Sequence, residues 1–300
     1  MIRTFRSAAT LSVFLLVFGT FHAYSQAAEK PARAAAAPDA EQPAAGLEQY
    51  GPHLTLWQAR KMVVTEFRTC SMLVVGDPSS FKFTLDSFEF DARPIRHKES
   101  EHYKVDLKTL PQVSAKRGFA GIYRLKDEHG KDLPEPLKNM LWADSAAASN
   151  VPLLANAINR LREMAGEQGM ALRNFPQAAA DWRALLPKPP VPEEIRAQRL
   201  LAEAAFKEGK LGKALYHYET GVELDPVWSE GRFNAALISA ELKFYNDAVE
   251  QMRAYLELEP NSQDAQSARD QIVIWQDKAT EKAQESPEEQ PQGRVLKRRM

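Results

Sequence analysis

The chain has very little cysteine and almost no net charge. Cys70 is the only cysteine among 300 residues, so no disulfide can form within one chain and packing must hold the fold together. We expect Cys70 to be a buried free thiol; a reactive thiol or an intermolecular disulfide is the alternative. Lysine and arginine total 39 and aspartate and glutamate total 40, a balance that argues against a nucleic-acid binder.

The common catalytic motifs are also missing. The sequence has no glycine-rich phosphate loop, no Gly-x-Ser-x-Gly elbow and no paired-cysteine motif. His97 and His102 bracket the one local group of candidate metal ligands, but a spacing of five does not place both on one helix face. We therefore predict a protein that is not an enzyme, with no cofactor and no metal. An enzyme whose pocket forms among residues 70–150 stays open.

The first 27 residues are typical of an export signal. Arg3 and Arg6 precede an apolar run from Leu11 to Phe21, and Ser25-Gln26-Ala27 supplies small residues for cleavage. The run is shorter than the roughly 20 residues of a membrane-spanning helix, and no later segment is apolar enough to span. We expect an exported protein, periplasmic or secreted, whose leader is either cleaved or kept as an anchor.

Changes in composition divide the chain into segments. An alanine- and proline-rich stretch follows the leader and lacks the large apolar residues needed to offset chain entropy, and the end of the chain is polar. The predicted segments are a signal at 1–27, a disordered linker at 28–46, an α+β domain at 47–166, helical repeats with a capping helix at 174–279, and a disordered tail at 280–300.

The spacing of apolar residues changes within the α+β domain. Residues 54–67 have apolar positions three and four apart, which predicts a helix, although 61–67 also fits a strand. A period of two then predicts strands, and a stripe after Asn150 predicts a final helix that ends near Gly166. The predicted strands cover Phe81–Leu85, Phe88–Phe90, Tyr103–Leu107, Phe119–Leu125 and Lys138–Trp142.

Strands followed by one closing helix resemble the pleckstrin-homology-like superfold over residues 70–166. That resemblance implies a bent barrel with the helix at one end, and an unrelated α+β domain is the alternative. The basic group Arg93, Arg96, His97 and Lys98 could then contact anionic lipid headgroups.

A period of 34 residues appears in the second half of the chain. Leu224-Asp225-Pro226 returns as Leu258-Glu259-Pro260, and Ala214 returns as Ala248. This pattern resembles the tetratricopeptide repeat family and implies stacked helix-turn-helix units. Lys243 stands where the family prefers the glycine found at Gly209. Phe175–Leu185 looks like the second helix of a degenerate earlier copy, and 265–275 looks like a capping helix.

The family resemblance implies a binding face, because the first helix of each unit lines the concave side. Phe206 and Phe233 would be apolar contacts, and Arg199 and Asn234 would supply hydrogen bonds. A solvated helix face is the alternative. Glu203 stands where a carboxylate clamp needs asparagine, which argues against that mode. The predicted partner-binding residues are Arg199, Glu203, Phe206, Phe233, Asn234 and Leu237.

These observations predict an α+β fold in which a β-rich domain precedes an all-α helical array. The function they favour is a non-enzymatic adaptor in the cell envelope that binds another protein or peptide. The alternative is a lipid- or envelope-surface-binding protein that acts through the β-rich domain, with peripheral membrane contact.

Overall fold

The structure is a computed structural model that describes residues 53–70, 72–75, 78–95, 97–143 and 151–285. The chain divides into two units, Met1–Gln42 and Pro43–Met300, and every described residue belongs to the second. The predicted leader and linker, and residues 286–300 of the predicted tail, lie outside the described residues.

The fold of the described part is α+β, as predicted, with a β-rich region followed by a helical array. The β-rich region contains α1 (Leu56–Phe67), β1 (Leu73–Val74), β2 (Lys82–Phe83), β3 (Ser87–Pro94), β4 (Glu101–Asp106), β5 (Val113–Arg117), β6 (Ile122–Asp127), β7 (Leu141–Ala143) and α2 (Val151–Ala165). It is followed by α3 (Met170–Arg173), α4 (Phe175–Ala184), α5 (Glu193–Lys207), α6 (Leu211–Leu224), α7 (Ser229–Glu241), α8 (Tyr245–Leu258) and α9 (Ala265–Glu285).

Helix α1 begins with a capping box. The Thr55 hydroxyl accepts a hydrogen bond from the backbone N–H of Gln58 at 3.2 Å, and the Gln58 side chain accepts from the N–H of Thr55 at 3.1 Å. The whole segment to Phe67 is helical, so the strand alternative for residues 61–67 is wrong.

The strands form two antiparallel sheets. In the first, β3 pairs with β4 along its length, with Phe90 opposite Tyr103, and its ends pair with β1 and β2. The second sheet has the order β5-β6-β7. Strand β5 was not predicted, because Lys116 and Arg117 interrupt its apolar alternation. The strand predicted from Phe119 starts instead at Ile122, after a turn.

Phe67 at the end of α1 joins the two sheets. Its ring packs edge-on against Phe90 at 5.1 Å and against Trp142 of β7 at 6.1 Å, and the Trp142 indole donates to the carbonyl of Glu66 at 3.0 Å. Cys70 lies beside this group as a buried free thiol, as predicted, and burial raises the pKa of that thiol.

Helix α2 closes the β-rich region from the side of β5. The Asn159 side chain donates to the carbonyl of Val113 and accepts from its N–H, both at 2.7 Å, so it continues the strand's backbone hydrogen bonding. The resemblance to the pleckstrin-homology-like superfold stays a prediction.

The array consists of the helix pairs α5–α6 and α7–α8, followed by α9. The turns between paired helices contain Gly209 and Lys243, 34 residues apart, with φ of 73° and 61°. Lys243 thus adopts the left-handed conformation of its glycine counterpart, although the sequence alone left the geometry of this turn open. Helix α9 continues to Glu285, so residues 280–285, which were predicted to belong to a disordered tail, are helical.

Trp228, between α6 and α7, lies so close to two glycines that a side chain at either position would collide with its ring. A Cβ added to Gly221 would lie 2.4 Å from the Trp228 ring, and one added to Gly231 would lie 2.1 Å from it. The structure shows that the missing side chain makes room for the indole, which also lies 5.8 Å from the Tyr218 ring.

Helix α4 is not the second helix of an earlier repeat stacked on α5. It packs against α8, where the Trp182 indole donates to Glu259 at 3.0 Å and Arg183 donates to the carbonyl of Glu257. The side of α5 that an earlier repeat would cover is therefore exposed to solvent, and Leu201 on α5 is 48% exposed. Proline-rich residues 187–192 separate the two helices and prevent a tight α4–α5 turn.

Prediction: Lys243→Gly should raise the free energy of unfolding by about 1 kcal/mol, because the left-handed conformation costs a non-glycine residue about 1–2 kcal/mol. Gly209→Ala is the matched change at the equivalent turn and should lower that free energy by about 1 kcal/mol. Urea denaturation of both variants measures the effects. Two shifts of the same sign would contradict the equivalence of the turns.

Candidate functional site

The helices of the array differ in what covers them. We call α6 and α8 the outer helices and the exposed side of α5 and α7 the inner face. The polar contacts that α1, α2 and α4 make with array side chains reach mainly Glu219 and Glu223 of α6, Asp247 and Glu250 of α8, and Glu259 directly after α8. The outer helices are therefore covered by α1, α2 and α4, which we call the amino-terminal part.

The amino terminus of α1 docks on two carboxylates of α6. The Thr55 hydroxyl donates to Glu219, and the backbone N–H of Leu56 donates to Glu223. A helix amino terminus carries unpaired N–H groups and a partial positive charge, so it favours carboxylates one turn apart on a neighbouring helix. Arg160 of α2 completes the contact with an ion pair to Glu223 at 2.6 Å.

Lys61 lies at the centre of this junction. Its ammonium is 3.3 Å from Glu219 and 3.1 Å from Asp247, so one buried cation joins α1 to both outer helices. Burial works to lower the pKa of Lys61, but the two carboxylates outweigh it and hold that pKa above its ordinary value. Burial raises the pKa of Glu219 to about 7, even though Lys61 and Thr55 oppose the shift.

A second contact joins α1 to the exposed side of α8. Arg60 forms an ion pair with Glu250 at 2.9 Å, and the Trp57 indole donates to the same carboxylate at 3.1 Å. Because Glu250 is about half exposed, this pair contributes less than the buried one.

Four of the six predicted partner-binding residues have partners within the array. Arg199 lies 3.4 Å from Glu230 of α7 and 3.9 Å from Glu203, so it links the two helices of the inner face. The Asn234 amide donates to the carbonyl of Glu230 at 3.0 Å, and the Phe233 ring packs at 4.9 Å on Tyr255. Phe233 is thus partly a core residue.

Phe206 and Leu237, the other two, are half-buried on the inner face and pack against the core. The structure therefore brings the six together on α5 and α7. Ile274 of α9 is 45% exposed and was not among the predicted residues. It follows Ala240 of α7 by 34 residues, so the repeat period could have identified it as an equivalent position.

A cleft of about 520 Å³ lies where α1, the Phe81–Phe83 segment, the α7–α8 turn and α9 meet. Arg68, Lys243 and Lys282 lie along it. Burial, together with the charges of Lys243 and Arg68, lowers the pKa of Lys282.

The histidines at the ends of the 97–102 segment form separate pairs. His97 is 2.7 Å from Glu101, and His102 is 2.8 Å from Asp91, all on the exposed surface. In the part of the chain that the structure describes, no group of three or more metal-ligating side chains could hold an ion. In that same part, no helix combines the length and apolar character needed to cross a membrane.

Compared with models of protein families and with curated proteins, the chain matches none of them. The resemblance to tetratricopeptide repeats therefore rests on the 34-residue period, and it stays a prediction.

Prediction: Glu219→Gln should flatten the pH dependence of stability. The pKa of Glu219 is about 7 in the folded chain against a usual 4.5, so between these values the folded state holds a proton that the unfolded state has lost. The free energy of unfolding therefore falls as pH rises through this window, by about 3 kcal/mol for this one group.

Urea denaturation at pH 5 and pH 8 tests this, with the effect taken as the difference between wild type and variant. Glu203→Gln on the inner face is the control and should keep the wild-type pH dependence. Equal pH dependence in wild type and Glu219→Gln would show that Glu219 does not hold the extra proton.

Proposed function

We propose that this protein is a non-enzymatic scaffold of the cell envelope that holds a segment of another protein on its inner face. The observation that carries the proposal is the asymmetry of the array. The amino-terminal part covers the outer helices α6 and α8 with buried ionic and hydrogen-bonded contacts. The inner face, on α5 and α7, is left partly exposed.

The chemistry of the inner face suits an extended or helical segment of mixed character. Phe206 and Leu237 offer apolar surface, and Ile274 of α9 is 45% exposed at the register position that Ala240 has in α7. Apolar contacts of this kind supply most of the binding free energy, while charged side chains at the edge set register and association rate. Arg196 and Lys207 are exposed cations on this face, and they favour a partner segment with acidic residues.

The pairing of Arg199 with Glu230 supports a preorganised face. It holds α5 and α7 at a fixed spacing before a partner arrives, which lowers the entropy cost of binding. Export is part of the proposal and rests on the leader-like residues 1–27. No cofactor is needed for binding of this kind.

Prediction: the double charge reversal Arg196→Glu and Lys207→Glu should weaken partner capture by roughly tenfold, because it opposes the proposed acidic segment. Both side chains are exposed, so the melting temperature should change little. The control is Lys138→Glu with Lys210→Glu, which makes the same change of net charge at exposed positions away from the inner face.

Capture is measured with a photo-crosslinking residue in place of Asn234, in cells that make the full chain. A second crosslinker at Asn139, exposed in the β-rich region, reports capture outside the inner face. The proposal expects adducts from position 234 that the inner-face reversal removes and the control keeps. Adducts of equal yield from position 139, or adducts from 234 that survive the reversal, would overturn it.

A further inference from the structure

The turn between β5 and β6 presents the most exposed large apolar side chain of the described residues. Phe119 is 97% exposed, and Ile122, at the start of β6, is 37% exposed. A large aromatic ring fully in water is unfavourable by itself, because its burial would release free energy.

The backbone holds this ring outward. Ala120 and Gly121 have φ of 57° and 70°, as in the primed turns that join hairpin strands. The N–H of Ile122 donates to the carbonyl of Phe119, and the N–H of Gly118 donates to the carbonyl of Ile122 at 2.7 Å. Ala120 accepts a conformation that is costly for a residue with a Cβ, so the position of Phe119 comes at an energetic cost.

Positive charge flanks the ring on the same hairpin. Lys116, Arg117 and Arg124 are exposed on β5 and β6, and Arg124 also interacts with Asp132. The chain from Leu107 to Lys126 contains no aspartate or glutamate. Lys116 and Arg124 lie directly opposite each other in the β5–β6 register. Like charges in facing positions destabilise a hairpin, and an anionic surface would relieve that repulsion.

We propose that this hairpin tip, residues 116–124, contacts the anionic headgroups of a lipid bilayer and inserts the Phe119 ring at the interface. A ring on a protruding turn flanked by cations matches the interfacial position of aromatic and basic residues in peripheral proteins. The sequence pointed to Arg93, Arg96, His97 and Lys98 for lipid contact, and that stays a prediction. Arg93 donates to the carbonyl of His97, His97 pairs with Glu101, and Arg96 lies outside the described residues.

The tip lies in the β-rich region, so it leaves the inner face of the array available. Bilayer contact and partner binding are therefore separate properties. Failure of one does not imply failure of the other, because the inner-face charge reversals should leave binding to lipid unchanged.

The test is vesicle sedimentation with the chain from Pro43 onward, the compact unit that contains every described contact. Wild type should sediment with vesicles of phosphatidylcholine mixed with anionic phosphatidylglycerol, and much less with phosphatidylcholine alone. Phe119→Ser should weaken binding by roughly tenfold or more, because burial of the ring is lost. Leu186→Ser is the matched control, since Leu186 is 88% exposed in another part of the chain.

Two further variants separate insertion from charge. Phe119→Trp should keep binding to vesicles. Brominated lipid should quench the fluorescence that the added tryptophan contributes beyond that of the wild-type tryptophans. Lys116→Gln with Arg124→Gln should remove the preference for anionic vesicles. Absence of wild-type sedimentation, or equal sedimentation of Phe119→Ser and wild type, would overturn the proposal. Binding of the tip to an acidic protein without lipid binding would also overturn it.

Discussion

Lys61 is the residue on which the arrangement of this protein most depends. Its ammonium is shared by Glu219 and Asp247, on the two outer helices of the array, while its own helix α1 packs against both sheets through Phe67. A buried charge without a partner is costly, so removal of Lys61 would leave Glu219 and Asp247 without the cation that they share. The network therefore specifies one docking geometry for α1.

That docking explains how so short an array remains folded. Helical repeats bury their apolar surface against neighbours, and about three repeats are usually needed for stability. Here one core runs from the β-rich region into α5, α6 and α7, and a second joins α8 to α9. The helices α1, α2 and α4 thus take the place of neighbouring repeats by covering the outer helices, and the same coverage leaves the inner face partly exposed.

The features that could not be predicted from the sequence all depend on which segments of the chain pack together. Strand β5 is held by backbone pairing with β6 and by Asn159, so its charged side chains give no apolar period. Helix α4 has a helical pattern, but the pattern does not identify α8 as its neighbour. The inner-face residues were placed on the right helices, whereas the pairing of Arg199 with Glu230 and the packing of Phe233 on Tyr255 depend on neighbours far along the chain.

By itself, the sequence determined much of the local structure of the described part: the α+β order, the helix of residues 56–67 and the 34-residue register. These features follow from short-range periodicity and backbone sterics. Only the tertiary structure decided which array face is covered, that Glu219 is buried beside Lys61, and that Phe119 protrudes among cations. The first two depend on surfaces that meet only when segments more than a hundred residues apart pack together, as Lys61 and Glu219 do at a separation of 158. The third depends on the pairing of β5 with β6, which the apolar pattern of the sequence does not reveal.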